Sequence, residues 1–180
     1  EYLSISTLKN LSKLSEKKIP IITYNECLKL LGTKKIENEN FFNFNNIEWG
    51  MDFKSEHEKY ICDYFKSPVF VINYPKETKP FYMKMNNDNS TVSAVDLIFP
   101  NFGEIIGGSV REENILNMKK RLASVKLESE LDWYFKLREY GYSRSAGFGM
   151  GFERLMMLVT GSENIRDVIH FYRSSKELDY

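Results

Sequence analysis

Two carboxylates near the middle of the chain have a spacing that could hold a metal ion. Asp96 lies in an apolar, β-rich run, and Glu104 follows the turn signal Pro100-Asn101-Phe102-Gly103. A hairpin centred near Pro100 would place the two side chains roughly opposite each other. Like charges facing across a strand pair are destabilising unless a cation lies between them. Two carboxylates plus phosphate oxygens suit Mg²⁺, although the residues alone favour two solvated carboxylates.

An arginine on the same predicted strand could complete this site. Arg111 has the opposite strand parity to Glu104, so both face one site only if the chain bulges between them. Gly107-Gly108 can supply that bulge. A guanidinium donates equally well to an amide oxygen and to a carboxylate, so Arg111 would bind either group.

A second candidate site lies where three glycines, Gly147, Gly149 and Gly151, alternate with large apolar residues. This period of two predicts a strand in which Phe148, Met150 and Phe152 pack into a core. The glycines would leave the opposite face as bare backbone, against which a flat ring could lie. The spacing is not that of the dinucleotide fingerprint, and tight packing of a glycine-rich strand is an equal alternative.

A helix is predicted directly after this strand. Apolar residues from Phe152 to Val159 follow helical spacing, and Gly161 is a plausible helix end. Arg154 then lies in the first turn, where the helix dipole disfavours a cation. Binding phosphate or stacking on a base is therefore a better reason for Arg154 than a structural role.

The elements that must position these residues form an α+β pattern. Strands are predicted over 68–74, 81–85, 91–99, 104–110 and the glycine-rich stretch. Helices are predicted over 1–18, after the capping box of Thr23 and Glu26 as far as Gly32, over 56–65 after a second box of Ser55 and Glu58, and over 112–125 and 129–139. Tight turns between strands indicate a mainly antiparallel sheet flanked by helices.

Bulk properties exclude several classes of protein. The chain has 180 residues, which is enough for one domain or part of one, and its net charge of zero gives no global positive field for nucleic acid. Cys27 and Cys62 lack metal-ligand spacing and indicate buried thiols in a reducing compartment. The cytoplasm is the expected location, with an organelle as the alternative. No apolar run approaches the ~20 residues of a membrane span. His57 is interpreted as a hydrogen-bonded helix residue rather than a ligand.

Several ordered stretches resemble one family. The segment from Gly147 to Arg154 is similar to motif 3 of the class II aminoacyl-tRNA synthetases, with the motif covering 147–158. The stretches that follow it, Val159-Thr160-Gly161 and Asn164-Ile165-Arg166-Asp167-Val168-Ile169, resemble the asparaginyl-tRNA synthetases. Further stretches that resemble this family, in the same order, are Glu48-Trp49-Gly50-Met51-Asp52, Ser55-Glu56-His57-Glu58, Lys79-Pro80-Phe81-Tyr82-Met83, Gly103-Glu104-Ile105-Ile106-Gly107-Gly108-Ser109 and Arg111-Glu112-Glu113.

The resemblance implies ATP-dependent activation of asparagine to its adenylate and transfer to tRNA(Asn), with magnesium as cofactor. It implies the following site residues: Asp96 and Glu104 for the metal; Glu104, Ile105, Gly149, Gly151 and Arg154 for ATP; Gly108 and Arg111 for the amino acid; and Arg111 and Arg154 as catalytic groups. Arg111 does not itself distinguish asparagine from aspartate.

The resemblance also implies that residues 1–180 are the C-terminal portion of the catalytic domain. Motif 1, motif 2 and the anticodon-binding domain have no counterpart in the sequence, so the chain is expected to be inactive alone and the full-length enzyme to be a homodimer. Two positions depart from the family pattern: Arg144-Ser145 replaces Pro-His, and Ile169-His170-Phe171-Tyr172-Arg173 lacks two prolines. An aspartyl-tRNA synthetase, a tRNA-independent aspartate–ammonia ligase and a non-catalytic paralogue fragment are the alternatives.

Overall fold

The computed structural model describes residues 11, 12, 14, 16, 18–122 and 130–173. The chain divides into two compact units, Ile19–Gly149 and the combination of Glu1–Lys18 with Met150–Tyr180. The helix predicted over 1–18 lies largely outside the described residues. Within the described ranges, every helix is too short or too polar to cross a membrane.

A five-stranded sheet carries the candidate site. Its strands are β1 (Ile21–Thr23), β2 (Val69–Pro75), β3 (Thr91–Phe99), β4 (Gly103–Val110) and β5 (Ala146–Met150). They lie in the order β1-β2-β3-β4-β5, with β1 parallel to β2, while β2–β3 and β3–β4 are antiparallel. The predicted α+β class with a mainly antiparallel sheet is confirmed. Strand β1 was not predicted, because its three residues carry no alternation of their own.

Five of the six predicted helices lie mainly within the described ranges, and each is a helix as predicted, although some of its bounds differ. They are α1 (Tyr24–Glu37), α2 (Ser55–Phe65), α3 (Ile115–Leu122), α4 (Asp132–Glu139) and α5 (Phe152–Thr160), with a 3₁₀ turn at Ile165–Val168. Residues 123–125, the predicted end of the helix that became α3, lie outside the described ranges.

Helix α1 begins as predicted and ends later than predicted. The Thr23 hydroxyl accepts from the Glu26 N–H at 3.2 Å, and the Thr23 N–H donates to Glu26 Oε2 at 2.7 Å, so the capping box is formed. The predicted end at Gly32 is wrong, because the helix continues to Glu37. A glycine inside a helix costs only about 1 kcal/mol relative to alanine, and packing of the apolar face outweighs that cost.

The cap of α2 differs from the predicted Ser55–Glu58 box. Its N-cap is Lys54, whose N–H donates to His57 Nδ1 at 3.1 Å. The other ring nitrogen of His57 lies 3.0 Å from the Phe44 carbonyl, to which a neutral imidazole donates from Nε2. His57 is fully buried, and it is the hydrogen-bonded helix residue that the sequence indicated.

One face of the sheet packs against α1 and α2 to form the main core. Apolar residues of β2 and β3 meet buried residues of the two helices there; they are Val69, Val71, Val92, Ala94, Ile98, Tyr24, Cys27, Leu31, Ile61 and Cys62. Both cysteines are free and buried, and burial raises the pKa of each thiol to about 12. A smaller core joins Met118 and Leu122 of α3 to Phe135 of α4.

The prediction of a strand over 81–85 is wrong. Phe81 and Tyr82 form a turn, and only two isolated bridges occur, Met83 with Arg111 and Met85 with Val92. The carbonyls of Phe81 and Met83 accept hydrogen bonds from the Arg121 guanidinium, at 3.3 and 2.9 Å. Arg121 thus satisfies two carbonyls of this segment, and backbone hydrogen bonds join the Lys84 N–H to the Val110 carbonyl at 3.0 Å and the Glu112 N–H to the Tyr82 carbonyl at 2.8 Å.

Candidate active site

The two predicted metal carboxylates converge, although not through the predicted register. The cross-strand partner of Asp96 is Gly107, and Glu104 pairs with Ile98. Nevertheless, a Cβ added at Gly107 would overlap Glu104 Oε1 and would lie 3.5 Å from Asp96 Oδ1. Because Gly107 has no side chain, both carboxylates reach into the space beside it. Direct opposition of Asp96 and Glu104 was therefore wrong, and their proximity is confirmed.

A bulge brings Glu104 and Arg111 to one face, but it lies at a different residue from the one predicted. Leu97 pairs with Ile106 and Ile98 with Glu104, which leaves Ile105 as the extra residue on β4. Gly107-Gly108 stays in regular register, so the prediction that these glycines form the bulge was wrong. The side chain of Ile105 is buried, and packing it inward accounts for the bulge at this position.

Two residues that received no role from the sequence hold Asp96 in place. The Lys79 ammonium donates to Asp96 Oδ2 at 2.5 Å, and it lies 3.9 Å from the centre of the Tyr74 ring. The hydroxyl of Tyr74 also hydrogen-bonds Asp96, and burial, reinforced by that carboxylate, raises the pKa of Tyr74 well above its usual value. Asp96 itself is only 4% exposed. The Lys79-Pro80-Phe81-Tyr82-Met83 motif was the signal that could have drawn attention to Lys79.

The carboxylate pair fits a cation that takes its other ligands from a substrate. Asp96 uses Oδ2 for Lys79 and turns Oδ1 towards Gly107 and Glu104. Groups of three or more His, Cys, Asp or Glu side chains arranged for a metal do not occur among the described residues. Two carboxylates without further protein ligands are the donor set expected for Mg²⁺ bound together with phosphate oxygens.

Arg111 is held by neutral groups. Its Nη1 donates to Ser109 Oγ at 2.8 Å, and its guanidinium carbon lies 4.9 Å from the centre of the Tyr82 ring. A Cβ at Gly147 would lie 2.8 Å from Nη2, so the absence of a side chain there makes room for the guanidinium. Among the residues that the structure describes, no carboxylate forms an ion pair with Arg111. Its charge is therefore available to an acceptor on a ligand.

The glycine-rich strand has the predicted bare backbone at Gly149, whereas the Arg111 guanidinium lies against Gly147, and its apolar residues do not form the predicted core. Nothing lies within 4 Å of a Cβ added at Gly149. Phe148, Met150 and Phe152 are 70%, 43% and 66% exposed, so the prediction that they are buried was wrong. The Cβ of Phe148 lies 2.9 Å from a Cβ added at Gly108. Gly108 and Phe148 therefore share the sheet face opposite to the one that α1 and α2 cover.

The remaining predicted site residues belong to the unit that contains Met150–Tyr180. Gly151 is the N-cap of α5, and Arg154 lies in the first turn with its side chain exposed, as the change of period predicted. Gly161 ends this helix at φ 75°, as expected for a glycine C-cap.

Comparison with known proteins gives these positions a family. The family model for "tRNA synthetases class II (D, K and N)" matches residues 3–175. The chain belongs to this family of class II tRNA synthetases. The motifs that resemble this family therefore reflect common descent.

Two relatives, one curated and one with a solved structure, are named for asparagine. The chain is 47% identical to the asparagine–tRNA ligase of Mycoplasma capricolum, over 99% of its own length and 39% of the relative. It is 35% identical to the asparaginyl-tRNA synthetase of Pyrococcus horikoshii in complex with asparaginyl-adenylate, with a TM-score of 0.80, over 96% of this chain and 37% of that one.

An aspartyl-tRNA synthetase from Entamoeba histolytica shares the fold at a TM-score of 0.73 and 24% identity, over 91% of this chain and 33% of that one. The chain thus spans about two fifths of the length of the curated relative it matches.

Proposed function

We propose that this chain is the C-terminal portion of the catalytic domain of an asparagine–tRNA ligase. The observation that carries the proposal is the convergence of Asp96 and Glu104 on Gly107, on the same sheet face as Arg111. A relative of known name that is 47% identical over 99% of the chain supports asparagine as the amino acid. Cytoplasmic location and a homodimeric complete enzyme are part of the same proposal.

The proposed reaction has two steps. The α-carboxylate of asparagine attacks the α-phosphorus of ATP, the bond to the bridging oxygen of pyrophosphate breaks, and asparaginyl-adenylate forms. A hydroxyl at the 3′ end of tRNA(Asn) then attacks the acyl carbon and releases AMP. Both steps depend on positioning and on neutralisation of phosphate charge rather than on a strong general base. That requirement fits a site of carboxylates, arginines and bare backbone.

Each residue has a role that its geometry supports. Asp96 and Glu104 would hold Mg²⁺, which when bound neutralises charge on the phosphates of ATP. Arg111, stacked on Tyr82 and braced by Ser109, would donate to the side-chain amide oxygen of asparagine, with the backbone near Gly108 beside it.

The motifs assign the nucleotide-binding roles. In that assignment Gly149 and Gly151 would accommodate the adenine ring, Arg154 would stack on adenine or hold a terminal phosphate, and backbone at Ile105 would contact ATP. These assignments rest on the motif, together with the exposed position of Arg154 in the first turn of α5.

The first test is ATP–pyrophosphate exchange. The 180-residue chain is expected to give no exchange above background, because it spans only 39% of its M. capricolum relative. Fusion to the part of that relative which the chain does not cover should restore asparagine-dependent exchange. A matched fusion carrying Arg111→Met should be inactive. Exchange by the chain alone would refute the fragment interpretation, and an inactive, folded fusion would refute the catalytic one.

The second test separates asparagine–tRNA ligase from its alternatives. Exchange driven by asparagine and not by aspartate excludes an aspartyl-tRNA synthetase. Charging of tRNA(Asn) by the fusion excludes an aspartate–ammonia ligase, which needs no tRNA. A non-catalytic paralogue would bind no ATP even after the uncovered part is supplied, and equilibrium dialysis with labelled ATP detects this outcome.

A further inference from the structure

One half-buried arginine outside the candidate site organises the segment that contacts it. Arg121, near the end of α3, donates to four backbone carbonyls. The acceptors are Lys76 at 2.6 Å, Lys79 at 2.6 Å, Phe81 at 3.3 Å and Met83 at 2.9 Å. All four belong to the 76–85 segment, which has no regular strand structure of its own. Backbone hydrogen bonds fix the two ends of this segment, from the Lys76 N–H to the Ser90 carbonyl and from the Lys84 N–H to the Val110 carbonyl. Arg121 supplies donors to the Lys79 and Phe81 carbonyls between them.

The 76–85 segment carries two residues, Lys79 and Tyr82, that contact candidate site residues. Lys79 donates to Asp96 at 2.5 Å, and the ring of Tyr82 lies 4.9 Å below the Arg111 guanidinium carbon. Met83 also forms an isolated bridge with Arg111. Any displacement of this backbone would therefore move one partner of a candidate metal ligand and the support of the candidate amino-acid arginine.

A buried carboxylate fixes the far end of the same segment. Glu112 is 3% exposed, and its Oε2 accepts the Met85 N–H at 3.1 Å. Its Oε1 accepts the N–H groups of Glu113 and Asn114, each at 3.0 Å, at the start of the turn into α3. Burial lowers the pKa of Arg121, and the charge of Glu112 opposes that shift, so the two side chains also support each other electrostatically.

We propose that Arg121 and Glu112 are positioning residues, which fix the 76–85 backbone so that Lys79 holds Asp96 and Tyr82 supports Arg111. The catalytic consequence rests on the proposed function, whereas the positioning itself does not. A carbonyl-to-guanidinium network of this kind cannot be reproduced by lysine, whose donors share a single nitrogen atom.

The direct test follows the Lys79 ammonium by NMR in the ¹⁵N-lysine-labelled 180-residue chain. Its resonance is assigned by its loss in Lys79→Met, and the contact with Asp96 should make its protons exchange slowly. Arg121→Lys is expected to abolish that slow exchange. The matched control is Arg138→Lys, which changes a half-buried arginine that donates to the Tyr134 carbonyl at 3.3 Å and does not contact the segment. The control should leave the Lys79 signal intact.

A second variant, at Glu112, tests the proposal if Arg121→Lys does not fold. Glu112→Gln keeps the size of the side chain and one acceptor oxygen, so it should fold and should speed Lys79 exchange less than Arg121→Lys does. An unchanged Lys79 signal in every folded variant of Arg121 and Glu112 would overturn the proposal. So would a parent chain whose Lys79 ammonium exchanges as fast as a solvated lysine.

The catalytic consequence is measured in the active fusion. Arg121→Lys should raise the KM for asparagine and the KM for ATP, each about tenfold, because the segment supports both Arg111 and the candidate metal ligand Asp96. Arg138→Lys should change neither. A fall in stability with both constants unchanged in the folded fusion would indicate a merely structural role and overturn the proposal. If the parent fusion shows no exchange, the proposed function fails while the Lys79 signal still decides the positioning role.

Discussion

At the scale of single residues, the arrangement of the candidate site depends on two glycines that lack side chains and on the hydrogen bond between Lys79 and Asp96. Gly107 makes room for Glu104 beside Asp96, and Gly147 makes room for the Arg111 guanidinium. Lys79 neutralises one oxygen of Asp96 and leaves the other turned towards Glu104. At each of these two positions the absence of a side chain leaves room for a neighbouring group, and substitution by alanine tests this.

Gly107→Ala is expected to weaken metal binding without unfolding the chain. The added Cβ would overlap Glu104 Oε1, which is the far end of a flexible side chain and moves away easily. The unfolding free energy should change by about 1 kcal/mol or less, and Mn²⁺ affinity in the presence of ATP, measured by EPR, should fall about tenfold. Gly32→Ala serves as the control that leaves metal binding unchanged. Unaltered Mn²⁺ affinity in Gly107→Ala would contradict the proposed metal site.

His57 should make stability depend on pH. Burial lowers the pKa of His57 below its ordinary value of 6.5, so the unfolded chain binds a proton more readily than the folded chain. Stability is therefore complete above pH 6.5 and falls as the pH drops below that value. Glu56, at 3.9 Å, and Lys54 are the charged groups near the ring. The pKa of Glu56 is lowered, so Glu56 stays charged over the pH range in which His57 titrates.

Urea unfolding at several pH values between 5 and 8, in roughly the range where histidine titrates, measures this effect. His57→Gln should lower stability at every pH and remove most of the slope. A parent chain with no slope in that range would show that the imidazole is not held neutral by the fold.

At the scale of elements, the capping box predicted where α1 begins, whereas packing decided where it ends. Helix α1 starts at the predicted Thr23–Glu26 box but passes through Gly32. The predicted strand over 81–85 is reduced to two isolated bridges, and the Arg121 guanidinium donates to the Phe81 and Met83 carbonyls. The bulge lies at Ile105 rather than at the glycines, because the buried side chain rather than backbone freedom decided its place.

Gly32→Ala tests this view of α1. Nothing lies within 4 Å of a Cβ at position 32, and its φ is not in the left-handed region. The substitution should raise the unfolding free energy by about 0.5–1 kcal/mol, which is the difference in helix propensity between the two residues. Chemical denaturation of the two chains measures it, and a destabilised variant would mean that the helix needs a glycine for a contact outside the described residues.

At the scale of the whole molecule, two phenylalanines differ sharply in burial. Phe135 is 1% exposed in the smaller core, whereas Phe148 is 70% exposed on β5. The alternating pattern predicted burial of Phe148, and the arrangement of neighbouring elements leaves it exposed.

Substitution of each aromatic residue by alanine should therefore give very different results in the 180-residue chain. Phe135→Ala is expected to cost about 3 kcal/mol or more, because it leaves a cavity in a packed core. Phe148→Ala should change the unfolding free energy by about 0.5 kcal/mol or less, as exposed substitutions usually do. Urea titrations followed by circular dichroism give both values, and a large loss for Phe148→Ala would show that its side chain is covered in solution.

The sequence by itself determined the family, the α+β class, the capping box of α1, four of the five strands and the presence of Asp96, Glu104 and Arg111 in one region. Those features follow from short-range patterns and from motifs whose residue types are tied to a chemistry. Only the tertiary structure decided that Ile105 forms the bulge, that Lys79 and Tyr74 hold Asp96, and that Arg121 fixes the segment carrying Lys79. These contacts join residues far apart in the chain, and their energies depend on burial and on close approach, which no local pattern specifies.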